Sequence, residues 1–192
     1  MRIESFIRRL AARLTAFRDE TCGSWTVEMV VTMPIMIWGL VATYEFFEIH
    51  RYQSVRDKAT YTIADMLSRE EIGINDIYID NSLTLFNQIT NDDGVNQIRI
   101  SVVEYVEDDD DYVTQWSEIR GEGILSAYSE DDSFPDGANT LPIMSDGEVV
   151  VLVESRSLYE PILTLIYDDT IPMTTRVFTS LRFSPELKCE LC

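Results

Sequence analysis

One stretch limits what this chain can fold into: the apolar run from Trp25 to Phe47. Between Met29 and Tyr44 it carries no ionisable side chain. A bilayer core of about 30 Å takes about 20 helical residues, so the run is long enough to span. Trp25 stands at one end, and Tyr44 and Tyr52 at the other, where aromatic side chains anchor at headgroup level. Pro34 is compatible with a membrane helix, because neighbouring groups can re-satisfy the carbonyl it frees.

Charge gives the run a direction. Residues 1–23 hold five arginines against three acids, a net of +2, which leaves −21 on the remainder of a chain whose formal charge is −19. Basic residues flanking one end of a span predict a cytoplasmic N-terminus, with the acidic bulk across the membrane. So negative a chain repels nucleic acid, and no basic stripe overcomes that. Within residues 1–23, Ile3, Phe6, Ile7, Leu10, Leu14 and Phe17 recur every three or four residues, predicting a basic amphipathic helix on an anionic leaflet.

Glu28 is the anomaly, since a carboxylate at the start of a span costs free energy unless it lies at the interface or finds a partner. Read alone, it could mark the membrane edge, where a helix N-terminus also favours negative charge. Gly23 lies five residues earlier, with the basic segment before it. This arrangement resembles the class III signal of prepilins, in which a peptidase cuts after the glycine and the fifth mature residue is glutamate. The resemblance implies cleavage between Gly23 and Ser24, leaving Ser-Trp-Thr-Val-Glu at the new N-terminus. The sequence G-S-x-T-V-E, with a proline six residues after the glutamate, is similar to the TadE/TadG group, minor pseudopilins of the tight-adherence (Tad, Flp-type) pilus machinery. Glu148 to Glu154, Tyr159-Glu-Pro-Ile-Leu and Leu181 to Pro185 are similar to that group's terminal strands. The likeness covers roughly residues 18–70 and 148–185.

The resemblance implies a pilin-like α+β fold: a long N-terminal helix, transmembrane then amphipathic, packed on a small, mostly antiparallel β-sheet. The expected division is a cleaved leader at 1–23, a transmembrane helix at 24–49 and a periplasmic α+β domain at 50–192. It also implies a membrane-held, non-catalytic assembly protein of the bacterial inner membrane. Its partners would be a prepilin peptidase and other pilin-like subunits, with Glu28 meeting the free amine of Ser24 in a neighbour. An uncleaved single-pass protein with an acidic partner-binding domain is the alternative.

Periodicity gives the rest. Past the span, Tyr52, Val55, Ala59, Ile63 and Met66 predict an apolar helical stripe, with Arg56, Asp57 and Lys58 on the other face and Gly73 as a stop. Ser82 to Thr90 reads as a short helix presenting Leu83, Phe86 and Ile89. From Asn96 the period becomes two, and Ile98, Ile100 and Val102 predict a half-buried strand. Asp108 to Asp111 then turns the chain towards a second strand around Val113, Trp116 and Ile119, a β-hairpin. Residues 129–147, rich in Ser, Asp, Gly and Pro, read as a long surface loop. Glu148 to Ser155 predicts a strand. So does the stretch from Met173, with Met173, Thr175, Val177, Thr179, Leu181 and Phe183 on one face.

Signals for chemistry are few. His50, the single histidine, stands at the membrane edge, and neither a G-x-S-x-G elbow nor a P-loop occurs. Gly121 and Gly123 begin a G-x-G, but Ser126 stands where a third glycine belongs, so no cofactor is expected. The acidic runs Asp108–Asp111 and Glu130–Asp132 carry calcium-type oxygen ligands without EF-hand spacing, and solvated turns account for them. Cys189-Glu-Leu-Cys192 has the spacing of a thiol–disulfide pair. A structural disulfide is the expectation, with a thiol oxidoreductase as its rival, because only Lys188 is near to lower a thiol pKa.

Overall fold

The computed structural model describes residues 15, 24–92, 94–135, 140–162 and 170–190. Among the described residues, two helices and four strands follow in order: α1 (Ser24–Leu67), α2 (Asp76–Thr90), β1 (Asn96–Val106), β2 (Asp111–Gly121), β3 (Val149–Tyr159) and β4 (Ile171–Ser180). The chain forms two compact units, Met1–Phe46 and Phe47–Cys192. The predicted amphipathic helix at 3–17 lies outside the described residues, Thr15 excepted.

In the first unit, α1 contains the apolar run as one helix, with Pro34 inside it. It is long and apolar enough to cross a bilayer. Trp25, Val30, Ile35, Trp38 and Leu40 are all exposed. A helix apolar on all sides, with its side chains uncovered, calls for lipid or partner helices around it.

The second unit is α+β. Its sheet runs β2-β1-β3-β4, and every neighbouring pair is antiparallel. One face packs against the helices: Ile98, Ile100, Val102, Val151, Val153 and Val177 meet Ala59, Ile63 and Leu67 of α1 and Ile79 and Phe86 of α2. Small residues on α1 let the helix approach closely, and Thr60 there shares a 2.8 Å hydrogen bond with Ser155 of β3. Asn75 caps α2, its side chain accepting the Tyr78 N–H at 3.0 Å, and Asn91 ends it in the left-handed conformation. The sequence placed this helix correctly but began it six residues late.

Five expectations are corrected. The buried stripe of α1 is Arg56, Ala59, Thr60, Ile63, Ala64 and Leu67, so Arg56 lies on the packed face and Val55 and Met66 on its flanks. Asp57 also turns towards the sheet, accepting the Thr175 hydroxyl at 2.7 Å. Polarity misassigned these residues because each has a partner distant in sequence. The helix ends at Leu67 rather than at Gly73; the Ser68 carbonyl then accepts the Arg182 N–H at 2.9 Å.

Strand β1 is buried on both faces from Asn96 to Val103, not half-buried. Its second cover comes from the segment read as a surface loop: Phe134, Leu141 and Met144 pack on Val103, Tyr112, Val150 and Leu152. Sparse apolar residues in a polar stretch carry no period, so the sequence hid this layer. Finally, β4 ends at Ser180, leaving Phe183 exposed, although Thr175 and Val177 face inwards as expected.

The predicted hairpin forms, with a bulge. Val102 faces Trp116 while Val103 faces Thr114, so Gln115 is the extra residue. The bulge sends Tyr112 to one face and Trp116 to the other, which is why β2 shows no clean alternation. Gly121 ends β2 at φ +92°, where an added Cβ would stand 2.1 Å from the Asn96 carbonyl oxygen. Its place in a G-x-G therefore reflects backbone approach. Gly121→Ala is expected to cost more than ~1 kcal/mol, since both strain and contact oppose it. A thermal melt of the detergent-solubilised chain checks this, and an unchanged midpoint would contradict it.

Candidate functional site

The sequence-predicted site residues divide between what the structure describes and what it does not. Gly23 and Cys192 lie outside the described residues, and of Ser24 only the backbone, as the first residue of α1, is described. Glu28 is exposed on α1, where its carbonyl accepts the Thr32 hydroxyl at 2.8 Å. Of the two carboxylates described in the first unit, Glu28 is open to a partner and Glu45 is buried, at 1% exposure. Four residues at 1.5 Å each put Ser24 and Glu28 about 6 Å apart along the axis, on one helical face.

Cys189 is disulfide-bonded. Its partner lies outside the described residues, so pairing with Cys192 stays an expectation from the sequence. The segment around Cys189 is also held by its backbone. Ile74 donates to the Lys188 carbonyl at 2.9 Å and accepts from Glu190 at 2.7 Å, and the Trp116 indole donates to the Leu187 carbonyl at 2.7 Å. Gly73 permits that approach, since a Cβ there would meet the Lys188 oxygen at 3.1 Å.

The acidic runs serve the backbone. Asp110 takes a left-handed turn and accepts the Tyr105 hydroxyl at 2.8 Å. Residues 131–134 clip the edge of β2: Asp131 donates to the Thr114 carbonyl at 2.8 Å, and Asp132 accepts from Thr114 at 3.0 Å. Among the described residues no three acid, histidine or cysteine side chains converge as a ligand set. His50 is exposed on α1.

Two polar networks escaped the sequence reading. In the first, Arg56 is 2% exposed, pairs with Asp92 and lies over the Tyr52 ring with its guanidinium carbon 3.1 Å from the centroid. Tyr52 donates to the Leu158 carbonyl at 2.9 Å and to Asp92 at 3.1 Å, and meets Tyr159 edge-on at 4.9 Å. These groups line a cleft of about 600 Å³ that also takes in Glu48, Arg51, Val95 and Glu160. Burial pushes the Tyr52 phenol up to about 12, with Asp92 adding to the rise and Arg56 opposing it. Burial also draws Arg56 down, against the pull of Tyr52 and Asp92.

The sign for stability follows from linkage. A phenol with a raised folded pKa keeps its proton longer when folded, so its contribution is whole below the unfolded value near 10 and is lost as pH rises towards about 12. Tyr78 and Tyr128, both raised chiefly by burial, act in the same sense. Melting temperature should therefore fall across this alkaline window, and Tyr52→Phe should flatten part of the slope. A slope unaltered in the variant would remove Tyr52 from the account.

The second network crosses three strands. Register sets Arg99 of β1 opposite Glu154 of β3, and Glu154 opposite Arg176 of β4. Glu154 accepts from Arg99 Nε at 2.7 Å and from Arg176 Nε at 2.8 Å. Arg99 also donates to the Ser126 carbonyl at 2.6 Å and lies 3.8 Å from the Tyr128 ring centroid. Arg99 places Nε, Nη1 and Nη2 on protein acceptors, and Glu154 takes both guanidinium groups, which marks a structural cross-brace.

These features define, among the described residues, one candidate membrane span and a folded α+β unit of antiparallel sheet and helices. No family model, curated protein or solved structure matches the chain.

Proposed function

We propose that the protein is a TadE/TadG-like minor pseudopilin, a non-catalytic component in the biogenesis or assembly of a Tad-type pilus. One observation carries the reading: an exposed carboxylate, Glu28, stands four residues into a helix whose apolar side chains are uncovered, five residues after Gly23. The same helix goes on to supply the packed stripe of an α+β unit, as the pilin-like expectation requires. In this reading a prepilin peptidase removes residues 1–23, and the span holds the product in the inner membrane with its acidic unit in the periplasm. Glu28 then meets the Ser24 amine of a neighbouring pilin-like subunit. An unpaired charge in apolar surroundings costs several kcal/mol, so the pair selects axial register as well as adding attraction.

N-terminal sequencing of the membrane-extracted protein tests this. The expected first residue is Ser24, and a bulky replacement of Gly23 should block processing by obstructing a tight peptidase pocket. A mature chain beginning at Met1 would favour the uncleaved single-pass protein. A cut beyond the apolar run would remove both readings.

A further inference from the structure

The second unit exposes apolar side chains at the end where α1 enters it. Tyr52 stands five residues after Phe47, about 8 Å of helix, and its hydroxyl bonds the Leu158 carbonyl. That bond holds the last residues of β3, 106 residues away along the chain, close in space to Tyr52 and so to the end of the apolar run. Beside Leu158, Val95 and Ile124 line one small depression together with Gly123, Ser157 and the charged Glu122 and Arg156. Val95 is 45% exposed and Ile124 78%.

The loop carrying Ile124 is held in place. Gln97, itself 3% exposed, clamps the Leu125 backbone with both ends of its amide, donating to the carbonyl at 3.0 Å and accepting the N–H at 2.8 Å. Gly123 sits where a Cβ would stand 2.2 Å from the Gln97 oxygen, so the loop packs directly on that amide. A buried amide thus fixes a loop whose isoleucine projects outwards, at a free-energy cost in water that an apolar surface would relieve.

We propose that Val95 and Ile124 rest on the bilayer at the boundary between headgroups and acyl chains, a second membrane contact beside the span. This rests on the reading of Trp25–Phe47 as a transmembrane segment. The short tether selects lipid as the occupant, because it keeps this end of the unit within reach of the surface. Glu122 and Glu160 at the same end are exposed acids. Together with Arg156, which lines the same depression, they keep the contact shallow.

Tryptophan quenching in the full chain decides the matter. The protein would be reconstituted in phosphatidylcholine bilayers brominated near the carbonyl end of the acyl chains, as wild type, Ile124→Trp and Ile143→Trp. Ile143 is the control: it is 101% exposed and follows Pro142, whose carbonyl accepts the Tyr112 hydroxyl beside the hairpin turn at the other end of the sheet. The expected result is loss of most of the emission added at position 124, and none of that added at 143. If the added emission at 124 survives while that of native Trp25 and Trp38 is quenched, the contact is wrong and the span stands. Quenching at both added positions would overturn the preference for this end. Native emission left unquenched would sink the span reading, and this inference with it.

Discussion

Glu28→Gln is expected to abolish recovery of partner pilin-like subunits while leaving the protein inserted in the membrane. Glutamine keeps the shape and hydrogen bonding of the side chain but cannot meet the Ser24 amine as an ion. Insertion should be unharmed, and even eased, since a neutral amide costs less to bury than a carboxylate. Cleavage should also persist, because the scissile bond lies five residues away. The geometry sets the requirement on the neighbour. For its amine to reach this carboxylate, it must be shifted along the helix axis by about 6 Å, the rise of four residues. Exposure of Glu28 and burial of Glu45 leave Glu28 as the described carboxylate of this unit that is open to such a contact. Co-purification of wild-type and variant protein from the same membranes is the measurement. Equal recovery of partners would make Glu28 a marker of the membrane edge, and the assembly mechanism would have to be dropped.

Glu154→Ala should produce the largest loss of stability of any single charge removal in the folded unit, about 3–5 kcal/mol. Glu154 is 2% exposed and stands between two guanidinium groups, with Arg99 itself 6% exposed. Its removal leaves a buried cation unpaired and sets two like charges near each other across β3. At about 2–4 °C per kcal/mol for a unit of this size, the melting midpoint should drop by about 10 °C. Glu154→Gln retains acceptor geometry on one side and should fall between the two. Thermal melts followed by circular dichroism in detergent would read this, with Arg182→Ala as a control. Arg182 is exposed and its 3.3 Å contact with Asp65 is a surface pair, worth at most about 1 kcal/mol. Similar losses for both variants would show that the cross-brace has no special weight.

Local pattern made several elements legible. The α1 run is a matter of composition, the alternation of Thr175 and Val177 needs only a pleat, and the acidic turn at Asp108–Asp111 lies between two strand-forming stretches. The candidate assembly residue is equally local, because Glu28 stands out against apolar neighbours. The polar networks were not legible. Arg56 and Asp92 are 36 residues apart, and Arg99 and Glu154 are 55 apart. Read singly, each is a charged residue expected in water.

The sequence by itself determined an apolar helix long enough to span, an acidic bulk beyond it, and an α+β composition of helices and alternating strands. These follow from side-chain chemistry at short spacing, which every neighbour along the chain reinforces. Tertiary structure decided the strand order, with β3 beside β1 and β2 at the edge. It decided that Arg56 faces inwards, and that a polar connection supplies Phe134, Leu141 and Met144 to close the second face of the sheet. Those outcomes depend on partners far along the chain: a charge is stable in the interior only where its counter-ion arrives, and a sheet face is buried only where another segment covers it.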